Sequence, residues 1–318
     1  MVTKSYQRWV AIAAILLFFY LALNSMTGDS PTMDEQNHIA RGLAYLRTGD
    51  PRLSVEHPPL VNTLSALPLL MMPEIELPLD HPSWQRQPPD IFWYLFAEEF
   101  LWGANRDLDI QKILFLARLP VVFLTIGLAL AGWRFAQQLW GGLAPLLALL
   151  LLLFDPNILA HGRYVTTDVG GTLFITLATY LLWRMWQTDG WTWRPWLAAA
   201  VGLGLAFGGK LSSLAFVPIW IVLAALPLYG RARHSPWRAA GRRLLQLLTA
   251  GMASLIVVWL IYGLDWGNFL FLDPRLSALN AIRGPMPPFW SGIERILFLS
   301  GGGRPAFLMG EFSSEGFP

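Results

Sequence analysis

Apolar residues fall into long runs at 9–26, 113–137, 143–154, 169–187, 196–209, 211–229 and 244–263. Several approach the ~20 residues that a helix needs to cross about 30 Å of hydrocarbon. The pattern predicts seven transmembrane helices. Two shorter apolar stretches, 60–72 and 91–103, carry Pro68, Glu98 and Glu99. They predict helices lying in the membrane interface rather than across it.

Composition agrees. Hydrophobic residues reach 54% and charged residues only 14%, against about 25% charged in a soluble domain. One water-soluble core could not hide that much apolar surface. An ordinary cytosolic enzyme, a disordered chain and a nucleic-acid binder are excluded. There is no cysteine, so disulfides, thiolate metal sites and cysteine nucleophiles are excluded too. Lys4 and Arg8 precede the first run as in a signal peptide, but no small-x-small cleavage site follows it. It reads as an uncleaved first span.

Basic residues set the orientation. With Lys4 and Arg8 inside, successive spans place Arg134, Arg184, Arg194 and the 230–243 loop (Arg231, Arg233, Arg238, Arg242, Arg243) inside as well. An integral, multi-pass plasma (inner) membrane protein with a cytoplasmic N-terminus is expected. Thirteen of the 21 acids lie between Asp29 and Asp109, in the first outer loop. At residues 27–112 that loop is far longer than about 15 residues, a length that marks function or disorder; its aromatic content argues for order. The expected organisation is a transmembrane module over 1–263 and an outer segment over 264–318. The chain stops at Phe317-Pro318 inside that segment, so it is expected to be a piece of a longer membrane protein.

Four polar clusters fall on the outer side. Asp34-Glu35-Gln36-Asn37-His38 opens the first outer loop. Ile39, Leu43 and Leu46 follow at helical spacing, with Gly49-Asp50-Pro51 as a stop. Glu56-His57-Pro58-Pro59-Leu60 comes next, its prolines starting another helix. Asp155 to Asp168 joins spans three and four and contains His161, Arg163 and Tyr164. Lys210 follows Gly208-Gly209 between spans five and six. Each has an ordinary structural explanation. Asp34 suits a helix cap, His57 a turn, Thr166, Thr167 or Asp168 the cap of the fourth span, Lys210 a snorkelling lysine. The glycines at 202, 204, 208 and 209 follow no strand and read as close-packing residues, not a phosphate loop. Together, however, the clusters put carboxylates and cations on one face, where an amphiphile could present a polar head.

In combination, Asp34-Glu35, Gly49-Asp50-Pro51, His57-Pro58-Pro59-Leu60, Ala160-His161-Gly162-Arg163 to Thr167-Asp168, Gly208 to Lys210, and Leu308-Met309-Gly310-Glu311 to Gly316-Phe317-Pro318 resemble the protein O-mannosyltransferase superfamily and the related aminoarabinose transferases. The resemblance implies an all-α multi-pass GT-C glycosyltransferase fold whose large first extracytoplasmic loop carries interfacial helices. It implies sugar transfer from a polyprenyl-phosphate donor to a protein, lipid or glycan acceptor at an extracytoplasmic active site. Asp34 matches the general base, Glu35 lies beside it, and Asp168 matches a second acid. His57 stands where aminoarabinose transferases have a phosphate-binding lysine, with Arg163 and Lys210 as further cations for the donor phosphate; His38, His161 and Asp155 complete the candidates. No cofactor and no metal site is expected, although related oligosaccharyltransferases use a divalent ion. The family usually has eleven or more spans. Two other readings of the same pattern are a transporter or flippase of an amphiphilic lipid-linked substrate and a non-catalytic scaffold.

Overall fold

The computed structural model describes residues 2–85, 93–188, 190–228, 235–302 and 306–314. Arg231, Arg233, the start of the 91–103 stretch and Gly316-Phe317-Pro318 lie outside these.

Helix α1 (Val2–Met26) is followed by α2 (Met33–Thr48), α3 (Pro59–Ala66) with a 3-10 turn at Leu67–Met71, α4 (Pro82–Gln85) and α5 (Trp93–Glu98), which continues as a π-helical stretch, Glu99–Ala104. Then come α6 (Ile110–Leu139), α7 (Ala144–Leu153), α8 (Pro156–His161), α9 (Asp168–Trp186) and α10 (Trp193–Gly209). A 3-10 turn (Leu211–Phe216) leads to α11 (Val217–Ala225), then α12 (Pro236–Ile261). In the outer segment, β1 (Trp266–Asn268) pairs antiparallel with β2 (Arg283–Pro285), α13 spans Pro287–Gly302, and β3 (Ala306–Leu308) pairs with β4 (Glu311–Ser313).

Helices form in all seven predicted places; among the described residues four are long and apolar enough by themselves to cross a membrane: Ser5–Met26, Ile110–Leu139, Leu211–Leu228 and Pro236–Ile261. The 10-residue α7 rises about 15 Å, half the hydrocarbon layer. Threonines and glycines dilute α9, and α10 has 17 residues. Both pack inside the bundle, α9 between α6 and α10, and α10 between α9 and α12. Surfaces that meet helix rather than lipid need less hydrophobicity, so fewer helices qualify on their own length and composition than the seven apolar runs.

Three apolar cores result. One joins α1, α6 and α7 around Phe18, Met26, Val122 and Leu149. A second joins α9 to α12 and reaches Val61 of α3 and Phe289 of α13. The third belongs to the first outer loop: Ile39, Leu43, Leu69, Phe96, Phe100 and Leu101 close over Ile113, Leu114 and Ala117 of α6. At 30 residues, α6 rises about 45 Å, enough to cross the bilayer and serve this lobe as well. The short apolar helices are therefore half lobe core. Leu70, Met71, Leu95 and Trp102 remain exposed on them, the face an interfacial helix would turn to lipid.

Several predicted local features are present. Gly49 ends α2 in the left-handed region (φ 71°), where a residue without Cβ is favoured. Pro58 and Pro59 start α3. Gly204 and Gly208 let α12 approach α10: a Cβ on Gly204 would lie 2.4 Å from Val257, and one on Gly208 2.4 Å from Ile261. These glycines are packing residues, as read from the sequence.

Candidate functional site

Residues 34, 38, 41 and 45 recur at i, i+4, i+7 and i+11, so α2 presents Asp34, His38, Arg41 and Tyr45 as one polar stripe. The stripe is held by a close crossing. A Cβ on Gly42 would stand 2.1 Å from the Asn62 carbonyl oxygen, so only glycine lets α2 and α3 approach this closely. That approach brings His38 Nδ1 within 2.9 Å of Asn62 Oδ1. Tyr45 donates from its hydroxyl to the Ile261 carbonyl at 2.9 Å, tying α2 to the end of α12.

The two adjacent acids have opposite environments. Asp34 is exposed and makes no hydrogen bond or ion pair among the described residues. Glu35 is fully buried. Its Oε1 accepts from Arg118 Nε (2.8 Å) and from the Val165 backbone N–H (3.0 Å). Its Oε2 accepts from Arg118 Nη2 (2.8 Å) and from the Thr32 N–H (2.9 Å). Arg118, also fully buried, donates further to the carbonyls of Met26, Asp29 and Ser30. One fork-to-fork pair thus fastens the end of α1, the start of α2, α6 and the 163–167 segment. Glu35, not Asp34, makes the reciprocal contact of the helix start, leaving the neighbouring carboxylate free.

Arg118 is absent from the residues singled out by motif and position. Its signal was there: an arginine within the apolar run 113–137, at the end opposite Arg134. A charge at that depth requires a partner, and the buried acid supplies it.

The other predicted residues divide. His57 packs edge-on against His38, ring centroids 4.9 Å apart, with Nδ1 3.3 Å from Thr167 Oγ1. Lys210 pairs with Asp168. This pair depends on Gly171, where a Cβ would meet the Lys210 side chain at 2.9 Å. Asp168 is therefore a lysine partner rather than the cap read from its position. Arg163 is occupied elsewhere: it reaches Asp29 (3.1 Å), the Tyr164 hydroxyl (2.9 Å) and the Leu159 carbonyl (3.1 Å). Asp155 caps α8 by accepting from the Asn157 and Ile158 N–H groups. His161 is exposed at the end of α8. Among the described residues no group of three or more acids or histidines could hold a metal ion.

Burial, and then the charge of Arg41, lower His38 from 6.5 to about 3. It is a neutral imidazole at physiological pH, a hydrogen-bonding element rather than a cation. Burial likewise lowers Arg41 to about 10, which leaves it charged at pH 7. The acids and cations of four distant segments, near residues 34, 57, 168 and 210, thus share one end of the bundle. A polar substrate head would find there a free carboxylate, a lysine and a pair of imidazoles.

No curated protein and no solved structure matches the chain. A family match does exist: residues 110–262 correspond to "Dolichyl-phosphate-mannose-protein mannosyltransferase". The matched stretch contains Arg118, Arg163, Asp168 and Lys210, and leaves Asp34 and His57 outside. The predominantly helical architecture with four membrane-length helices fits the all-α GT-C fold of this family. The family implies a membrane glycosyltransferase that works from a lipid-linked sugar donor. Residues 110–262, just under half of the chain, thus match the dolichyl-phosphate-mannose-protein mannosyltransferase family, within the superfamily that the outer-loop motifs resemble.

Proposed function

We propose that this chain moves a sugar from a polyprenyl-phosphate carrier to an acceptor hydroxyl on the extracytoplasmic face, with Asp34 as general base. The observation that carries the reading is the contrast between Asp34, exposed and unengaged, and Glu35, buried and bonded four times. A base must reach its proton, and a carboxylate already saturated by donors is a poor acceptor.

In the reaction the acceptor hydroxyl attacks the anomeric carbon. A new carbon–oxygen bond forms as the bond from that carbon to the phosphate oxygen breaks. The hydroxyl proton passes to Asp34, and the carrier phosphate leaves with the bonding pair. Lys210, at the membrane end of α10, is the cation for that growing charge, and Asp168 holds its ammonium in place. His57 and His38 offer hydrogen bonds beside it. Glu35 acts by position: through Arg118 it fixes the turn on which Asp34 stands. Arg163, tied to Asp29 and Tyr164, supports the same turn from the other side. The arginines at the opposite ends of the spans argue that this end faces away from the cytoplasm.

The test is sugar transfer in membranes containing a polyprenyl-phosphate sugar. Asp34→Asn should lower the rate by about 10²–10⁴-fold, the usual contribution of general base catalysis, with no change in thermal unfolding. Transfer at the wild-type rate would remove Asp34 from the mechanism. Because the chain has no cysteine, single cysteines at positions 34 and 194 can report sidedness through an impermeant thiol reagent. Labelling of both from the same side would overturn the orientation.

A further inference from the structure

Arg41 stands apart from every role assigned so far. It is 3% exposed, and its Nε and Nη1 have no hydrogen-bond partner among the described residues. Its guanidinium lies 5.0 Å from the ring centre of Trp93, whose buried indole Nε1 also lacks an acceptor. A second guanidinium, that of Arg295 on α13, lies 5.1 Å from the same ring and pairs with Glu56 at 3.1 Å. The half-buried carboxylate of Glu56 thus faces two buried guanidiniums: it pairs with Arg295, and Arg41 feels its charge without a hydrogen bond to its own Nε or Nη1. The nearest further acid on the stripe is Asp34, two turns along α2.

Buried charged groups without partners are costly, and a guanidinium with free N–H groups is the side chain best matched to a carboxylate or phosphate. The two cationic poles of the site also differ in position. Lys210 ends a helix of the bundle, where the lipid carrier lies. Arg41, Trp93 and Arg295 come only from α2, α5 and α13, which belong to the outer loop and the outer segment. His38 and His57 stand between the poles.

We propose that Arg41 is an oxyanion subsite for the acceptor: the molecule receiving the sugar carries a phosphate or carboxylate, which Arg41 holds while Asp34 faces its hydroxyl. This rests on the transferase reading above and names its acceptor class. Arg41 lies seven residues from Asp34, a rise of about 10 Å along the helix. The anion therefore sits several bonds from the hydroxyl that reacts.

The test uses the full chain in nanodiscs of zwitterionic lipid and three small probes of matched size: glycerol 1-phosphate, glycerate and glycerol. At least one of the two anions should bind with glycerol silent, and Arg41→Gln should weaken that binding tenfold or more. In the same preparations undecaprenyl phosphate binding should change less than twofold in Arg41→Gln and fall in Lys210→Gln. Arg41→Gln should unfold at the wild-type temperature or above, because it removes a desolvated guanidinium whose Nε and Nη1 make no hydrogen bond. Absence of anion binding by the wild type, or anion binding indifferent to Arg41→Gln, overturns the subsite. A loss of carrier binding in Arg41→Gln as large as the loss of anion binding assigns Arg41 to the donor and overturns it too. A wild type that binds the small anions but no carrier phosphate would instead sink the transferase reading and leave the anion site standing.

Discussion

Arg118→Met is the most informative single change. It keeps the length and apolar stem of the side chain but removes the guanidinium from a position with no exposure to solvent. Glu35 would be left buried with two of its four donors gone, and three carbonyls, of Met26, Asp29 and Ser30, would lose theirs. Breaking a buried ion pair from one side costs about 3–5 kcal/mol, because the remaining charge is stranded. Glu35→Leu strands Arg118 in the same way. If the two residues were independent, the double variant would cost about 6–10 kcal/mol.

The structure gives a different answer for the double variant. With both charges gone, nothing ionic is stranded. What remains are five backbone groups without their partners: the three carbonyls and the N–H groups of Thr32 and Val165. At about 1 kcal/mol each, the total is near 5 kcal/mol. The double variant should therefore cost about as much as one single variant, near 5 kcal/mol, and not the sum of the two. Thermal unfolding of the four proteins in one detergent, followed by tryptophan fluorescence, measures the cycle. Single costs that simply add would refute the view that Glu35 and Arg118 act as one unit. Transfer activity gives the second readout. All three variants should lose activity together with stability, since the turn carrying Asp34 loosens, whereas Asp34→Asn should lose activity alone.

Other predictions follow from the same geometry. Gly42→Ala places a Cβ 2.1 Å from the Asn62 oxygen; the helices must separate, so stability should fall by about 1–3 kcal/mol and transfer should drop with it, checked by unfolding and rate on one preparation. His38 is lowered to about 3 against 6.5 when unfolded, so the folded state binds fewer protons. Its contribution is complete above pH 6.5 and fades as pH falls towards 3, with a loss of about 2 kcal/mol by pH 5. His38→Gln should flatten that part of the stability profile, and an unchanged slope would refute the assignment. Gly171→Ala should push Lys210 away from Asp168 and weaken carrier-phosphate binding more than it lowers the unfolding temperature.

The bundle and the positions of its polar clusters were legible because both depend on short-range patterns. Apolar runs must be helices in lipid, since every backbone group has to be satisfied within the segment. Gly49 and the Pro58-Pro59 pair announce their turns by backbone chemistry alone. Span number was less legible. Hydropathy measures contact with lipid, whereas α9 and α10 meet other helices along much of their length. Site roles were the least legible, because they depend on which of two neighbours turns inward. Asp34 and Glu35 differ by one position, a rotation of about 100°. That rotation sends Glu35 to an arginine 83 residues away and leaves Asp34 in solvent. Arg163 looked like a ligand cation and is held by Asp29 through Nη2; Arg41 carried no motif and has two buried donors, Nε and Nη1, unused. Charge type thus marks where polar chemistry gathers, while the count of donors already spent decides which group is left to meet a substrate. By that count Asp34, Arg41 and the Lys210–Asp168 pair are the groups to test first, and Glu35 is the one whose loss should be felt as a loss of fold.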